Sequence, residues 1–211
     1  MKTYPEQSKT SRQLQAERTK HNIYMTARKL IADKGFDNVT IEEVCRTAGI
    51  SKGLFYHYYK SKDDIIIEGY SECDDYFETH VRNSLSKENF LDRIVEFIDY
   101  QILYADKLGI DVLIQAYKSQ IQHGNDFFVS EGRSLPVILK EIIDRGKEKG
   151  DIRIDLSTDY ITNFILRFSR GLLYDWCLHD GNYDIKESAH EAVKRLVELF
   201  RIEQISKNPS N

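Results

Sequence analysis

The chain has 211 residues, 41% of them apolar, with three prolines, three cysteines and a formal charge of −4. That is enough apolar material for the core of one large or two small domains. No apolar run approaches the ~20 residues needed to span a bilayer, and the first twenty residues lack the apolar stretch of a secretion signal, so a cytoplasmic protein without a membrane partner is expected. Cys45, Cys73 and Cys177 are widely spaced and odd in number, which fits neither a disulfide framework nor a zinc spacing, and they read as small buried hydrophobes. Charge is divided unevenly: residues 1–62 hold 12 Lys and Arg against 6 Asp and Glu, and residues 63–211 hold 18 against 28. A basic head on an acidic body is the electrostatic footprint of a nucleic-acid reader.

Residues 1–17 are polar, contain Pro5 and show no apolar period, so they are expected as a disordered basic tail. Lys2, Lys9 and Arg12 give it the makings of a phosphate-contacting arm; an unstructured tail without a role is the other reading. A first helix is predicted over Glu17 to Lys34, with Ile23, Ala27, Leu30 and Ile31 on one face, Gly35 ending it and Phe36 anchoring the loop that follows.

The next stretch is the most informative. Thr40 and Glu43 have the spacing of a capping box, and Ile41, Val44, Cys45 and Ala48 form one helical stripe. Gly49 tolerates the positive φ at which a helix stops, and Ser51 is a good N-cap for a second helix, Lys52 to Tyr58. There Phe55 and Tyr59 share the buried face while Lys52, Gly53, Tyr56 and His57 look outward. Two helices joined by a short Gly-containing turn form a helix-turn-helix, whose second helix enters the DNA major groove. Ser61 and Asp64 cap a further helix, with Lys60 and Lys62 beside the phosphates. The DNA-binding set is read as Thr40, Ser51, Lys52, Gly53, Leu54, Tyr56, His57, Tyr58, Lys60 and Lys62.

That further helix is predicted from Lys62 to Ser84, with Ile66, Tyr70, Cys73, Phe77 and Val81 recurring at spacings of three and four, and its position makes it the natural transmission element. Later stripes are Phe90, Ile94, Phe97, Ile98, Gln101 and Ala105, then Val112, Leu113, Ala116, Tyr117 and Ile121, with Gly109 and the Gly124-Asn125 pair as breaks. Pro136 opens a helix through Leu135, Ile138, Leu139, Ile142 and Ile143 to a basic end at Lys147 and Lys149. Residues 151–156 alternate like a strand but have no second strand to pair with, and are read as a loop. Ser157 caps a long helix with Ile161, Phe164, Ile165, Phe168, Leu172 and Trp176 on its apolar face and Gly171 among them as a mark of close approach. After Asp180-Gly181-Asn182, Ala189, Ala192, Val193, Leu196, Val197 and Phe200 continue the pattern to about Ile205.

The run TARKLIADKGFDNVTIEEVCRTAGISKGLFYHYYKSKDDI, about Ile23 to Ile65, resembles the N-terminal DNA-binding domain of the tetracycline-repressor (TetR) family. The pattern is carried by Gly53, Phe55, Tyr56, Tyr58, Tyr59, Ser61, Lys62 and Asp63. Leu54 stands at a place often polar in relatives, and Tyr59 where Phe is more usual, which suggests a phenol reaching the domain surface. The resemblance implies an all-α protein with a disordered basic tail at 1–17, a three-helix helix-turn-helix domain at 18–62 and a helical effector-binding and dimerisation domain at 63–211. It implies a homodimer formed through the last two helices, carried onto Phe164, Phe168, Gly171, Leu172, Ala189, Val193, Leu196, Val197 and Phe200. It also implies a cavity for a small-molecule effector, for which Tyr100, Tyr104, Gln115, Phe128, Phe164, Arg167 and Trp176 are the candidates.

The expected function is a ligand-released homodimeric repressor on a palindromic double-stranded DNA operator. The alternative is an activator, or an effector-independent DNA-binding protein, on the same fold. An enzyme is not expected, and neither a cofactor nor a metal: the six histidines never fall at i, i+4 with another His or Cys, and no nucleophile elbow, Walker loop or dinucleotide fingerprint is present.

Overall fold

The computed structural model describes residues 10–123, 130 and 132–202; among these it is all helical except for turns, loops and one isolated bridge. The chain divides into two compact units after Gly69, further along than the expected boundary at Lys62 and inside its fourth helix.

The first unit is built on α1 (Ser11–Lys34), α2 (Ile41–Ala48), α3 (Lys52–Tyr58) and the start of α4 (Asp63–Tyr76). Helix α1 begins earlier than the predicted Glu17. Thr10 and Gln13 form a capping box, in which the Gln13 N–H donates to Thr10 Oγ1 and the Thr10 N–H to Gln13 Oε1 at 2.8 Å, so residues 11–17 are helix and not tail. The expectation for residues 1–9 lies outside the described residues. Gly35 (φ 79°) ends α1, and Phe36 opens a 3-10 turn, Phe36–Asn38, with its ring buried. Ile23, Ala27 and Ile31 of α1, Val44 of α2, Phe55 of α3, and Tyr59 and Ile65 beyond it are nearly inaccessible and form this unit's core.

In the second unit the span expected as one helix to Ser84 is the end of α4, a π-helical turn (Phe77–Val81) and α5 (Arg82–Ser84). There follow α6 (Phe90–Leu108), α7 (Ile110–His123), α8 (Ser134–Lys149), α9 (Thr158–Leu178) and α10 (Ile185–Val197), with a 3-10 turn at Glu198–Phe200. Asn89, Ser157 and Asp184 cap α6, α9 and α10 through their side chains, as their residue types favour. The core runs through Phe77, Phe97, Ile98, Leu139, Ile143, Ile165 and Val193, where α6 packs against α8 and α10, and α8 against α9. Ile121, expected in the buried stripe of α7, is instead 75% exposed at the end of that helix. Residues 151–156 are the loop that was read, yet Ile152 does find a β partner: it bridges to Arg201, and the Arg153 N–H donates to the Phe200 carbonyl at 2.8 Å.

Ile152 is fully buried, and it explains Gly146 in the last turn of α8. A Cβ on Gly146 would lie 2.5 Å from Ile152 Cδ1 and 2.8 Å from Phe90 Cβ, closer than real carbon contacts allow. Alanine gains about 1 kcal/mol over glycine in a helix, whereas forcing a methyl into a filled core costs about 1–3 kcal/mol. With neighbours this near the second effect wins. Gly146→Ala is therefore expected to lower stability by about 1–2 kcal/mol in urea denaturation, while Gly150→Ala is disfavoured for a different reason, its left-handed φ of 81°.

Candidate nucleic-acid interface

Helix α2 starts at Thr40, whose Oγ1 accepts from the Glu43 N–H at 3.2 Å. The reciprocal half of the expected box is missing, because the Glu43 carboxylate is turned to the Lys34 ammonium. Gly49 (φ 69°, ψ 34°) closes α2 in the left-handed region, its N–H and that of Ile50 returning to the Arg46 and Cys45 carbonyls. Ser51 then accepts the Leu54 N–H at 3.1 Å and starts α3. Phe55 turns into the core at 0% exposure, edge-on to Tyr56 at 5.6 Å. The other side of α3 is left to solvent: Lys52, Gly53, Leu54, Tyr56 and His57 are exposed, and Tyr58 is half-buried with its ring 4.9 Å from that of His57.

This face carries hydrogen-bonding groups of both senses. The phenol of Tyr56 and the imidazole of His57 are each able to donate and to accept, as base edges and phosphates require, and the first-turn N–H groups carry the positive end of the helix. A Cβ on Gly53 would meet nothing nearer than Ser51 Oγ at 3.9 Å, so the chain's own packing does not require glycine there. Lys52 pairs with Glu42, tying α3 to α2, and that hydrogen bond holds the Glu42 carboxyl below its usual range. Arg46 on α2, which the pattern did not single out, projects a 79% exposed side chain from the same motif. Only tertiary placement could have revealed it.

Two expectations need correction. Lys62 does not stand beside phosphates: its ammonium donates to the carbonyls of Phe36 and, at 2.8 Å, Val39, and sits 4.1 Å over the Phe36 ring. The Phe36 carbonyl also accepts the Val39 N–H at 3.3 Å, so the ammonium adds a second donor where the 3-10 turn ends. Tyr59 does not bring a phenol to the surface either. It is 2% exposed, and its hydroxyl donates to the Lys20 carbonyl at 3.4 Å. Lys60 remains exposed; its N–H donates to Asp64 Oδ2 at 2.6 Å, and the Asp64 N–H to Ser61 Oγ, the box that starts α4.

The effector candidates are only partly brought together. Tyr100 and Tyr104 of α6 join Tyr76 at the end of α4 and His80 of the π turn in an aromatic cluster, with Tyr76 5.2 Å from both Tyr104 and His80. Gln115 is half-buried on α7. Trp176 is core, its indole N–H donating to the Tyr183 carbonyl at 3.1 Å. Phe164 and Arg167 are exposed on the outer side of α9, so neither lines an interior cavity there, and Phe128 lies outside the described residues.

The same outer side bears on dimerisation. Tyr160, Phe164, Tyr174 and Leu178 make an exposed apolar row along α9, with Gly171 open among them and Phe168 and Leu172 half-buried at its edge. Leu196 is half-buried on α10, and Leu199 is exposed in the 3-10 turn that follows it. Ala189, Val193, Val197 and Phe200 do not belong to this face; each is at most 3% exposed, because the apolar stripe of α10 is spent within the protomer, chiefly on α6.

The sequence model described as "Bacterial regulatory proteins, tetR family" matches residues 23–68, which contain α2 and α3 entire. The HTH-type transcriptional regulator UidR of Escherichia coli (strain K12) is 20% identical over 166 residues, 77% of this chain and 84% of that protein. The biofilm operon icaADBC HTH-type negative transcriptional regulator IcaR of Staphylococcus aureus (strain Newman) is 22% identical over 150 residues, 71% and 79% of the two chains. Among solved structures, the transcriptional regulator FadR from Bacillus subtilis in complex with stearoyl-CoA aligns with a TM-score of 0.65 at 22% identity, covering 84% of this chain and 96% of that one.

Lys62→Met should cost the first unit about 1–3 kcal/mol, the worth of hydrogen bonds from a charged group, seen as faster hydrogen exchange in α1 and α4. The salt dependence of DNA binding should stay the same; a slope smaller by about 1 would put the ammonium on a phosphate instead. The thiols give a second expectation. Burial pushes Cys73 up to about 12, partly opposed by Arg133, and Cys177 up to about 11. Both are protonated at pH 8, so native-state alkylation by iodoacetamide should be far slower than in urea, and equal rates would contradict the packing.

Proposed function

We propose that this chain, a member of the tetR family of bacterial regulatory proteins, is a homodimeric DNA-binding transcriptional repressor that a small-molecule effector releases from a palindromic operator. The carrying observation is α3: a helix whose Phe55 face is fully buried while Lys52, Gly53, Leu54, Tyr56 and His57 stand together in solvent. In this reading α3 lies in the major groove, with Tyr56 and His57 on base edges and the first turn against the backbone near Gly53. Thr40, Ser51, Lys60 and Arg46 supply phosphate contacts around it, and the excess of cations over residues 1–62 supplies the salt-dependent attraction.

Two copies are needed to read two half-sites, and the exposed apolar row of α9 with Leu196 and Leu199 supports their association, since a row of this kind is otherwise a liability in water. IcaR is a negative regulator by name and FadR holds stearoyl-CoA; both support repression and release by a ligand here. The ligand would meet the cluster of Tyr76, His80, Tyr100 and Tyr104, which suits a mainly apolar or aromatic molecule. Coupling is then a difference in effector affinity between the DNA-bound and free forms.

Genome-wide mapping of bound DNA gives the operator on which the reading is tested by fluorescence anisotropy. Tyr56→Ala should lose about 1–3 kcal/mol, roughly five- to a hundredfold in Kd. Gly53→Ala should weaken binding as well, although nothing in the protein itself resists the added methyl. An unchanged Kd in both would remove α3 from the groove. Phe164→Glu combined with Leu178→Glu should sediment as a monomer where the parent sediments as a dimer; an unaltered dimer would place the interface elsewhere.

A further inference from the structure

The second unit holds a basic groove that the reading above does not use. It has a volume of about 340 Å³ and lies between the start of α5, the start of α6 and the middle of α8. Its floor is apolar, from Phe90, Ile138 and Ile142, and its walls carry three guanidinium groups, Arg82, Arg93 and Arg145, against one carboxylate, Glu141. Arg82 is committed: it bridges Glu141 of α8 and Glu78 of the π turn, and its charge offsets that of Glu141 in the groove. Arg93 gives its Nε–H to the Lys87 carbonyl at 2.7 Å and stacks 4.5 Å from the Phe90 ring centroid, which fixes its plane and leaves its terminal nitrogens to the groove. Arg145 is exposed and makes no ion pair or hydrogen bond among the described residues. Two uncompensated arginines thus face one apolar-floored hollow, on a stretch of chain where acidic residues outnumber basic ones by 28 to 18.

We propose that this groove is a second ligand site, taking a small oxyanion such as a phosphate ester or a polycarboxylate between Arg93 and Arg145. A guanidinium presents paired N–H donors in a rigid plane that matches two oxygens of phosphate or carboxylate, and stacking on Phe90 removes much of the freedom Arg93 would otherwise lose on binding. The buried Phe90, Ile138 and Ile142 side chains close the underside of the groove to water. Such a molecule is chemically unlike one that would suit the tyrosine cluster. The inference therefore goes beyond the proposed repressor function and does not require it.

Isothermal titration of the full chain with inorganic phosphate, glycerol phosphate and citrate, in chloride buffers of matched ionic strength, tests the assignment. Saturable binding of at least one of them, one per chain, is expected. Either Arg93→Gln or Arg145→Gln should weaken it by about tenfold or more, as loss of a charged hydrogen-bonding partner does. Arg195→Gln, which removes a charge from an 84% exposed side chain on α10, should not. Binding of the two phosphates without citrate would identify a phosphate site, and the reverse a carboxylate site. The absence of saturable heat with all three, or equal weakening by all three variants, would overturn the proposal. Operator binding by the same preparations in chloride is measured separately, so a failure here is distinct from a failure of the DNA-binding reading.

Discussion

Helix α3 spans seven residues, Lys52–Tyr58, and an isolated helix shorter than about 12–15 residues does not persist in water. Its existence depends on Phe55, which is inaccessible to solvent and packs against Tyr59 at 5.8 Å, and on caps at both sides of the turn before it. Everything the outer face of α3 can do for DNA is thus bound to the burial of one ring on its inner face. That arrangement also sets its rigidity: Gly49 fixes the angle at which the chain leaves α2, Ser51 fixes where the next helix begins, and Lys52 with Glu42 closes the gap between them.

The cations of the first unit divide into two kinds that composition cannot tell apart. Lys62, Lys34 and Lys20 are occupied within the unit, the first on backbone carbonyls and the others on Glu43 and Glu68. Lys60 and Arg46 face outward. A net positive count over residues 1–62 therefore overstates how many charges are directed at a polyanion, although the field they generate together is the same at a distance.

This contrast explains what was legible in the sequence. The turn of the helix-turn-helix was readable because its signals act over three or four residues: Gly49 for positive φ, Ser51 for the cap, Phe55 for the stripe. Thr10 and Gln13 give a signal of equal range, and α1 starts where it says, inside what composition suggested was tail. The inward turn of Lys62 could not be read, since its acceptors lie some two dozen residues back in a turn that has to fold first. The same holds for Gly146, which Phe90 of α6 crowds together with Ile152 of the following loop, and for Tyr59, whose hydroxyl finds a carbonyl on α1. In α10 the apolar residues were recognised correctly, but periodicity does not record whether a stripe meets its own chain or a second one. Ala189, Val193 and Val197 meet their own, whereas Tyr160, Phe164, Tyr174 and Leu178 of α9 face outward.

The π turn at Phe77–Val81 holds one residue more than an α turn would. Each residue advances a helix by about 100°, so removing the surplus would swing everything after it by that angle. Arg82, next in the chain, would then lose sight of Glu141, and the wall it forms would rotate with it. One additional amino acid, costly to the ladder of backbone bonds, is in this sense an aiming device whose deletion would leave composition and helix content almost untouched while dismantling a surface.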